Sequence, residues 1–244
     1  SIGFLNNLVE SIEIVEFKGL SGLKELIISW NKITSIENVT FKGIESLESL
    51  SLSANRLTSI KFVRFSGISN LKVLDLSFNP IDTLKDSRFE GVEKLETLLL
   101  KFCKLKSLEQ VNFVGINNLL HLDIGSNPIE NISRRFAFKG IEKLESLDMS
   151  LIKLESAENL EFDGIEQLKS LDLSNNNFIY ENQVIHLRGL KRLESLTLNQ
   201  CFMLLSSANL TFINLNKTLK KLYLSQNGIV SLDRIELNGV DSLN

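Results

Sequence analysis

The sequence predicts an α/β solenoid: about ten stacked coils, one parallel β-sheet lining a concave face, and irregular or short helical segments on the convex face. Three observations point there. Leucine opens a similar unit at Leu23, Leu47, Leu71, Leu95, Leu119, Leu144, Leu168, Leu193 and Leu219, at spacings of 24 to 26 residues. Asparagine and phenylalanine then recur in the same register inside each unit. Finally, 43% hydrophobic and 23% charged residues among 244 suit a chain that buries a sizeable core.

Each unit reads L-x-x-L-x-L-x-x-N-x-I-x-x-I, four variable residues, then F-x-G-I. The clearest copy holds Leu71, Leu74, Leu76, Asn79, Ile81, Leu84, Phe89, Gly91 and Val92. The L-x-L core is a short strand with alternate side chains pointing inward. Leucines at positions 1, 4 and 6 and Ile/Leu at 11 and 14 fill the interior. Position 9 is Asn at Asn7, Asn31, Asn55, Asn79, Asn127, Asn176 and Asn227. An amide there can satisfy backbone groups where the chain leaves the sheet. Phe17, Phe41, Phe65, Phe89, Phe113, Phe138, Phe162 and Phe212 form a second column, with Leu187 and Leu237 in the same slot. The Gly two residues further on marks a tight turn. Two compact domains, or strands at the Phe positions, would contradict this reading.

The pattern resembles the leucine-rich repeat family over essentially the whole chain, and implies a horseshoe-shaped solenoid. The 24-residue length with its Phe is similar to the typical subclass of extracellular receptors, matrix proteins and secreted invertebrate proteins. Residues 1–22 fit as a partial repeat, 23–242 as nine complete ones, and 243–244 as the start of another. Residues 1–244 thus form a single solenoid. Neither end shows a polar or disulfide-bonded cap, so a piece of a longer array is expected.

Three residues interrupt position 9: Cys103, Cys201 and Ile152. The two cysteines lie four coils apart, roughly 20 Å at the strand spacing of a sheet, beyond the reach of a disulfide. Free, buried thiols are expected. The same distance argues against a metal site.

Little suggests chemistry. His121 falls on the concave strand and His186 on the convex side two coils later, too far apart to act together. No nucleophile–base pairing, phosphate loop or two-His metal spacing appears. No catalytic residue, metal or cofactor is assigned. A net charge of −3 argues against general nucleic-acid binding, and no apolar run is long enough to span a bilayer. What remains is surface recognition, which the resemblance places on the concave sheet.

Outward positions there are 3, 5, 7 and 8. Position 5 aligns Asp123, Asp148 and Asp172, with Asp75 further along. No Lys or Arg at position 3 or 7 of those three repeats offsets them. One reading is an acidic stripe for a basic partner; the other is a solvated form of the family's D-L-S pattern. Position 8 carries Trp30, Ala54, Phe78 and Phe102, with Leu99 and Ile27 on the neighbouring row. Exposed aromatic clusters mark interfaces, unless these rings fold over the sheet edge and pack on the turns.

Four N-x-S/T sequons, at Asn38, Asn131, Asn209 and Asn216, lie outside the concave strands. Their number is about what composition predicts. The expected function is a non-catalytic module that binds a protein ligand or co-receptor through its concave face, from a secreted protein or ectodomain. A matrix or adhesion assembly protein is the alternative and an intracellular scaffold the third. A homo- or hetero-oligomer fits any of these.

Overall fold

The computed structural model describes residues 1–108, 111–129, 135–178, 183–201, 209–213, 217–238 and 243. Ten short strands, from Ile2–Gly3 and Glu25–Ile27 through to Ser195–Thr197 and Lys221–Tyr223, form one parallel sheet in chain order. Each has a single inward residue, such as Leu26, Leu50, Leu74 or Leu98, and all four are fully buried. Pairing joins equivalent residues, as in Leu50 opposite Leu74 and Asp123 opposite Asp148. A one-residue slip would turn every leucine to solvent, so burial of one face dictates this register.

The convex face departs from expectation. Short helices are missing there; the one helical element described is a 3₁₀ turn at Leu232–Arg234. Strands occupy the phenylalanine positions instead. Eight of them, from Ile14–Glu16 and Val39–Lys42 to Leu160–Asp163 and Leu187–Arg188, make a second parallel sheet. A third sheet joins Gln183–Ile185, Leu210–Ile213 and Ile235–Asn238. The solenoid stands, but its coils have two strand-built faces. The cause is an alternation inside the variable stretch: Val39-Thr-Phe41, Val63-Arg-Phe65, Val111-Asn-Phe113, Leu160-Glu-Phe162. Both flanking residues of each triplet are buried, and period-2 burial is a strand.

The outer strands are staggered where the inner ones are not. Val39 pairs with Phe65, Val63 with Phe89, Ser87 with Phe113 and Val111 with Phe138, a two-residue offset at each of these coils. An even offset keeps every inward side chain inward. It also lengthens the step between equivalent residues, from about 4.8 Å on the inner face to roughly 8 Å on the outer, at ordinary strand spacing and rise. A stack with unequal steps bends toward its shorter side, so hydrogen-bonded strands on both faces remain compatible with curvature.

The stagger explains the glycines. It sets Gly91 against the carbonyl of Phe65, where a Cβ would lie 1.8 Å from the oxygen; Gly43, Gly67, Gly115, Gly140, Gly164 and Gly189 repeat the arrangement. Their φ values are positive as well. Glycine is required twice over, for the turn and for the close approach.

Asparagines bind the coils together. Asn79 Nδ2 donates to Leu76 O of its own coil and Leu52 O of the preceding one, while its Oδ1 accepts the Leu57 N–H. Asn55 and Asn127 do the same. Where Cys103 and Ile152 stand, the preceding coil loses its acceptor. There the Ile81 N–H turns back to Asn79 O at 2.8 Å, and the Ile129 N–H to Asn127 O at 2.9 Å. The residues bridged are Pro80 and Pro128, the chain's two prolines. A bond from residue i+2 back to residue i suits proline, whose fixed φ matches the centre of an inverse γ-turn. Coil 7 differs: Phe178 N–H reaches the Cys201 carbonyl at 2.9 Å.

Candidate functional site

Position 8 is where the chain turns off the inner sheet. Trp30, Ala54, Phe78, Phe102, Ser126, Leu151, Asn175, Gln200 and Gln226 all adopt φ between 52° and 58°. The amides on the inner side of this turn reach the next coil, as in Phe78 N–H to Lys101 O at 2.8 Å. A left-handed backbone at every coil is a geometric demand of the turn. Gly or Asn meets that demand at low cost, whereas bulky residues are strained there.

The strain accompanies exposure. Trp30 is 59% exposed, Phe78 51% and Phe102 47%. The rings do not fold over onto the turns: Phe78 and Phe102 stack on each other, centroids 4.6 Å apart and planes 14° from parallel. The aromatic row therefore stands on the rim of the inner sheet, not on its face. Leu99 lies on the face, half-buried between Asp75 and Asp123.

The face itself is polar and internally bonded. Ser29, Ser51 and Ser53 share a hydroxyl network that ends on Asp75 Oδ2. Each position-5 aspartate accepts the amide two residues on: Asp75 from Ser77, Asp123 from Gly125, Asp148 from Ser150 and Asp172 from Ser174. These bonds satisfy an N–H that the ladder leaves open at the strand end.

Nor is the acidic row without a counter-ion. Lys101 Nζ lies 3.1 Å from both Asp123 Oδ2 and Asp148 Oδ2. Lys101 belongs to the repeat before Asp123, outside the three repeats that carry the aligned aspartates. Burial opposes its charge, but hydrogen bonding to Asp148 and the charges of Asp148 and Asp123 outweigh it and raise its pKa. Burial, and then the Asp148 charge, hold Asp123 above the usual carboxylate range despite Lys101 and the Gly125 amide. Among the described residues Asp172 has no such cation, and Asp75 is bonded to serines.

Cys103 and Cys201 are buried and unbridged. Desolvation pushes both thiols up to about 12. His121 is exposed on the inner sheet, and His186 Nδ1 lies 2.9 Å from Asn159 Oδ1 on the outer side. Among the described residues no cluster of three or more metal-ligating side chains occurs, and no helix is long and apolar enough to cross a membrane. Asn38 and Asn209 are exposed; Asn131 and Asn216 lie outside the described residues.

Family models described as leucine rich repeat match residues 5–57, 45–105, 93–150 and 167–190. The fold is similar to the crystal structure of the leucine-rich repeat domain of APL1B, at 20% identity and a TM-score of 0.57, covering 99% of this chain and 66% of that one. An internalin from Listeria monocytogenes aligns at 15% identity and a TM-score of 0.43, over 99% of this chain and 85% of its own. YopM from Yersinia enterocolitica aligns at 18% and 0.44, over 94% and 52%. The chain thus spans just under two thirds of the APL1B domain and about half of YopM. No curated protein sequence matches it. Neither family match is to a catalytic family.

Proposed function

This chain belongs to the leucine-rich repeat family, and from that membership we propose that it is a non-catalytic protein-recognition module of a secreted protein or receptor ectodomain. The fold is that of a protein-interaction module. The observation that supports a recognition role here is the Phe78–Phe102 stack, exposed on a backbone held at both edges by inter-coil hydrogen bonds. Rings displayed on a rigid platform lose little entropy when covered. Leu99 and the polar inner face beside it extend the contact area. Settings in immunity or adhesion fit the extracellular subclass that the repeat resembles.

Compartment and recognition are tested separately. The two thiols do not bear on compartment, since burial makes them inert in either environment. Expression in a secretory host followed by glycosidase treatment should shift gel mobility through Asn38, Asn131, Asn209 and Asn216. An unchanged mobility would favour the intracellular scaffold. For recognition, the immobilised chain should retain a cell-surface or secreted protein that a Phe78→Asn, Phe102→Asn variant releases.

A further inference from the structure

The rim carries a charge pattern opposite to that of the chain as a whole. From position 8 to position 12 alternate residues are buried: Phe102, Lys104 and Lys106 are exposed, while Cys103 and Leu105 are buried. The neighbouring coils repeat the alternation with Trp30 exposed and Lys32 half-buried, then Arg56 exposed, then Phe78 and Asp82 exposed. Inter-coil bonds hold these segments side by side, Arg56 N–H to Ile33 O at 2.8 Å and Lys104 N–H to Ile81 O at 2.9 Å. Columns of like position therefore run across the coils. Lys32, Arg56, Lys104 and Lys106 face two anions, Asp82 and, at the edge of the strip, Glu10, and none of the four cations takes part in an ion pair among the described residues. Elsewhere cross-coil pairing is common, as in Lys24–Glu48–Lys72 and Lys169–Glu145.

The strip thus combines strained, exposed aromatics with unpaired cations two residues away, on one side of a rigid ladder. Its cations complement acid, and its rings complement apolar groups. Resting on the recognition reading above, we propose that this rim, in coils 1 to 4, docks an acidic protein segment bearing an apolar or aromatic side chain, which covers the Phe78–Phe102 stack while its carboxylates meet Arg56 and Lys104. The partner chemistry is the reverse of what the aspartate row alone suggests, because those aspartates are occupied by Lys101 and by backbone amides.

Trp30 is the single tryptophan of the chain and stands on the strip, so its emission reports docking there. The probe is a synthetic peptide of about a dozen residues, Glu and Asp around one Phe and one Leu, with no Trp; its control has Lys at every acidic position. The acidic peptide should blue-shift Trp30 emission and lose affinity as salt rises. Phe78→Asn with Phe102→Asn, and separately Arg56→Glu with Lys104→Glu, should weaken it by about tenfold or more. Lys191→Glu, at an exposed residue away from the rim and the inner face, should leave it unchanged. Asn accepts the left-handed turn, so the first variant should stay folded by circular dichroism, which separates lost binding from lost structure. Preference for the basic peptide, or binding that leaves Trp30 emission unmoved, would overturn the proposal. So would a concentration-dependent dimer in sedimentation that the Asn variant abolishes, since the rim would then serve a second copy. Peptides selected from a random display library that map to the inner strands would overturn the rim while leaving the recognition module intact; a library yielding no binder would count against both.

Discussion

Gly91 lies beneath the carbonyl oxygen of Phe65, one coil earlier, so closely that a methyl group on its Cα would sit 1.8 Å from that oxygen. Gly19 also has a positive φ, but a Cβ built on it meets nothing within 4 Å. The pair separates two reasons for one residue type. Gly19→Ala should cost about 1 kcal/mol, the strain of a left-handed backbone. Gly91→Ala should cost about 4 kcal/mol or more, because backbone must move against backbone. Urea midpoints of the two variants check this, and equal losses would contradict the close approach.

Asn79 and Cys103 share a repeat position but not a burden. Asn79→Ala strips partners from the Leu52 and Leu76 carbonyls and the Leu57 amide, all buried. About 3 kcal/mol or more should be lost. Cys103→Ala removes weak sulfur contacts and a small buried volume, and about 1 kcal/mol is expected. Thermal melts followed by circular dichroism compare them.

Much of this was legible in the sequence, and the reasons differ by residue. The leucine, asparagine and phenylalanine columns recur at fixed spacing, so inner strands and core followed directly. Val39, Val63, Val111 and Leu160 fall in a slot that reads as variable because it also admits Ser87 and Phe136, although the alternation with the following Phe is a strand signal. Lys101 is not legible from the aspartates' own repeats, because an in-register parallel sheet places neighbours in the next coil. The left-handed turn at position 8 had no glycine to announce it. Only the geometry shows that Trp30, Phe78 and Phe102 stand on the rim and at a backbone cost.

Removing Lys101 should make stability depend on acid. Lys101→Met leaves Asp123 and Asp148 side by side, costing about 1.5 kcal/mol at neutral pH. Asp123 already titrates above its unfolded value, and the variant would raise it further. The folded state then binds more protons than the unfolded state between those two values, so stability falls as pH rises through that window. The deficit relative to the parent should shrink as pH drops toward 4, read from urea midpoints across the acid range. In the parent, the raised Lys101 pKa contributes stability that is present below its unfolded value of about 10.5 and lost only as pH climbs past the folded one.

The thiols should be silent until the fold opens. With both pushed up to about 12 by burial, a thiol reagent at pH 8 should find almost no reactive group in the native chain and two after denaturation. Native reactivity of either would show that its coil opens readily.

Pro80 and Pro128 sit one coil ahead of Cys103 and Ile152, two of the three places where the next coil offers no amide side chain; ahead of the third, Cys201, the Phe178 amide reaches that coil's carbonyl instead. Each coil is therefore written with its successor in view, and the repeats are not interchangeable bricks. Moving the unit that holds Cys103 behind the coil of Asn55 would strand the Leu57 amide, which has no proline turn to fall back on. The array has a reading direction and a local grammar, so shuffling or duplicating its units succeeds only where both halves of such a phrase travel together.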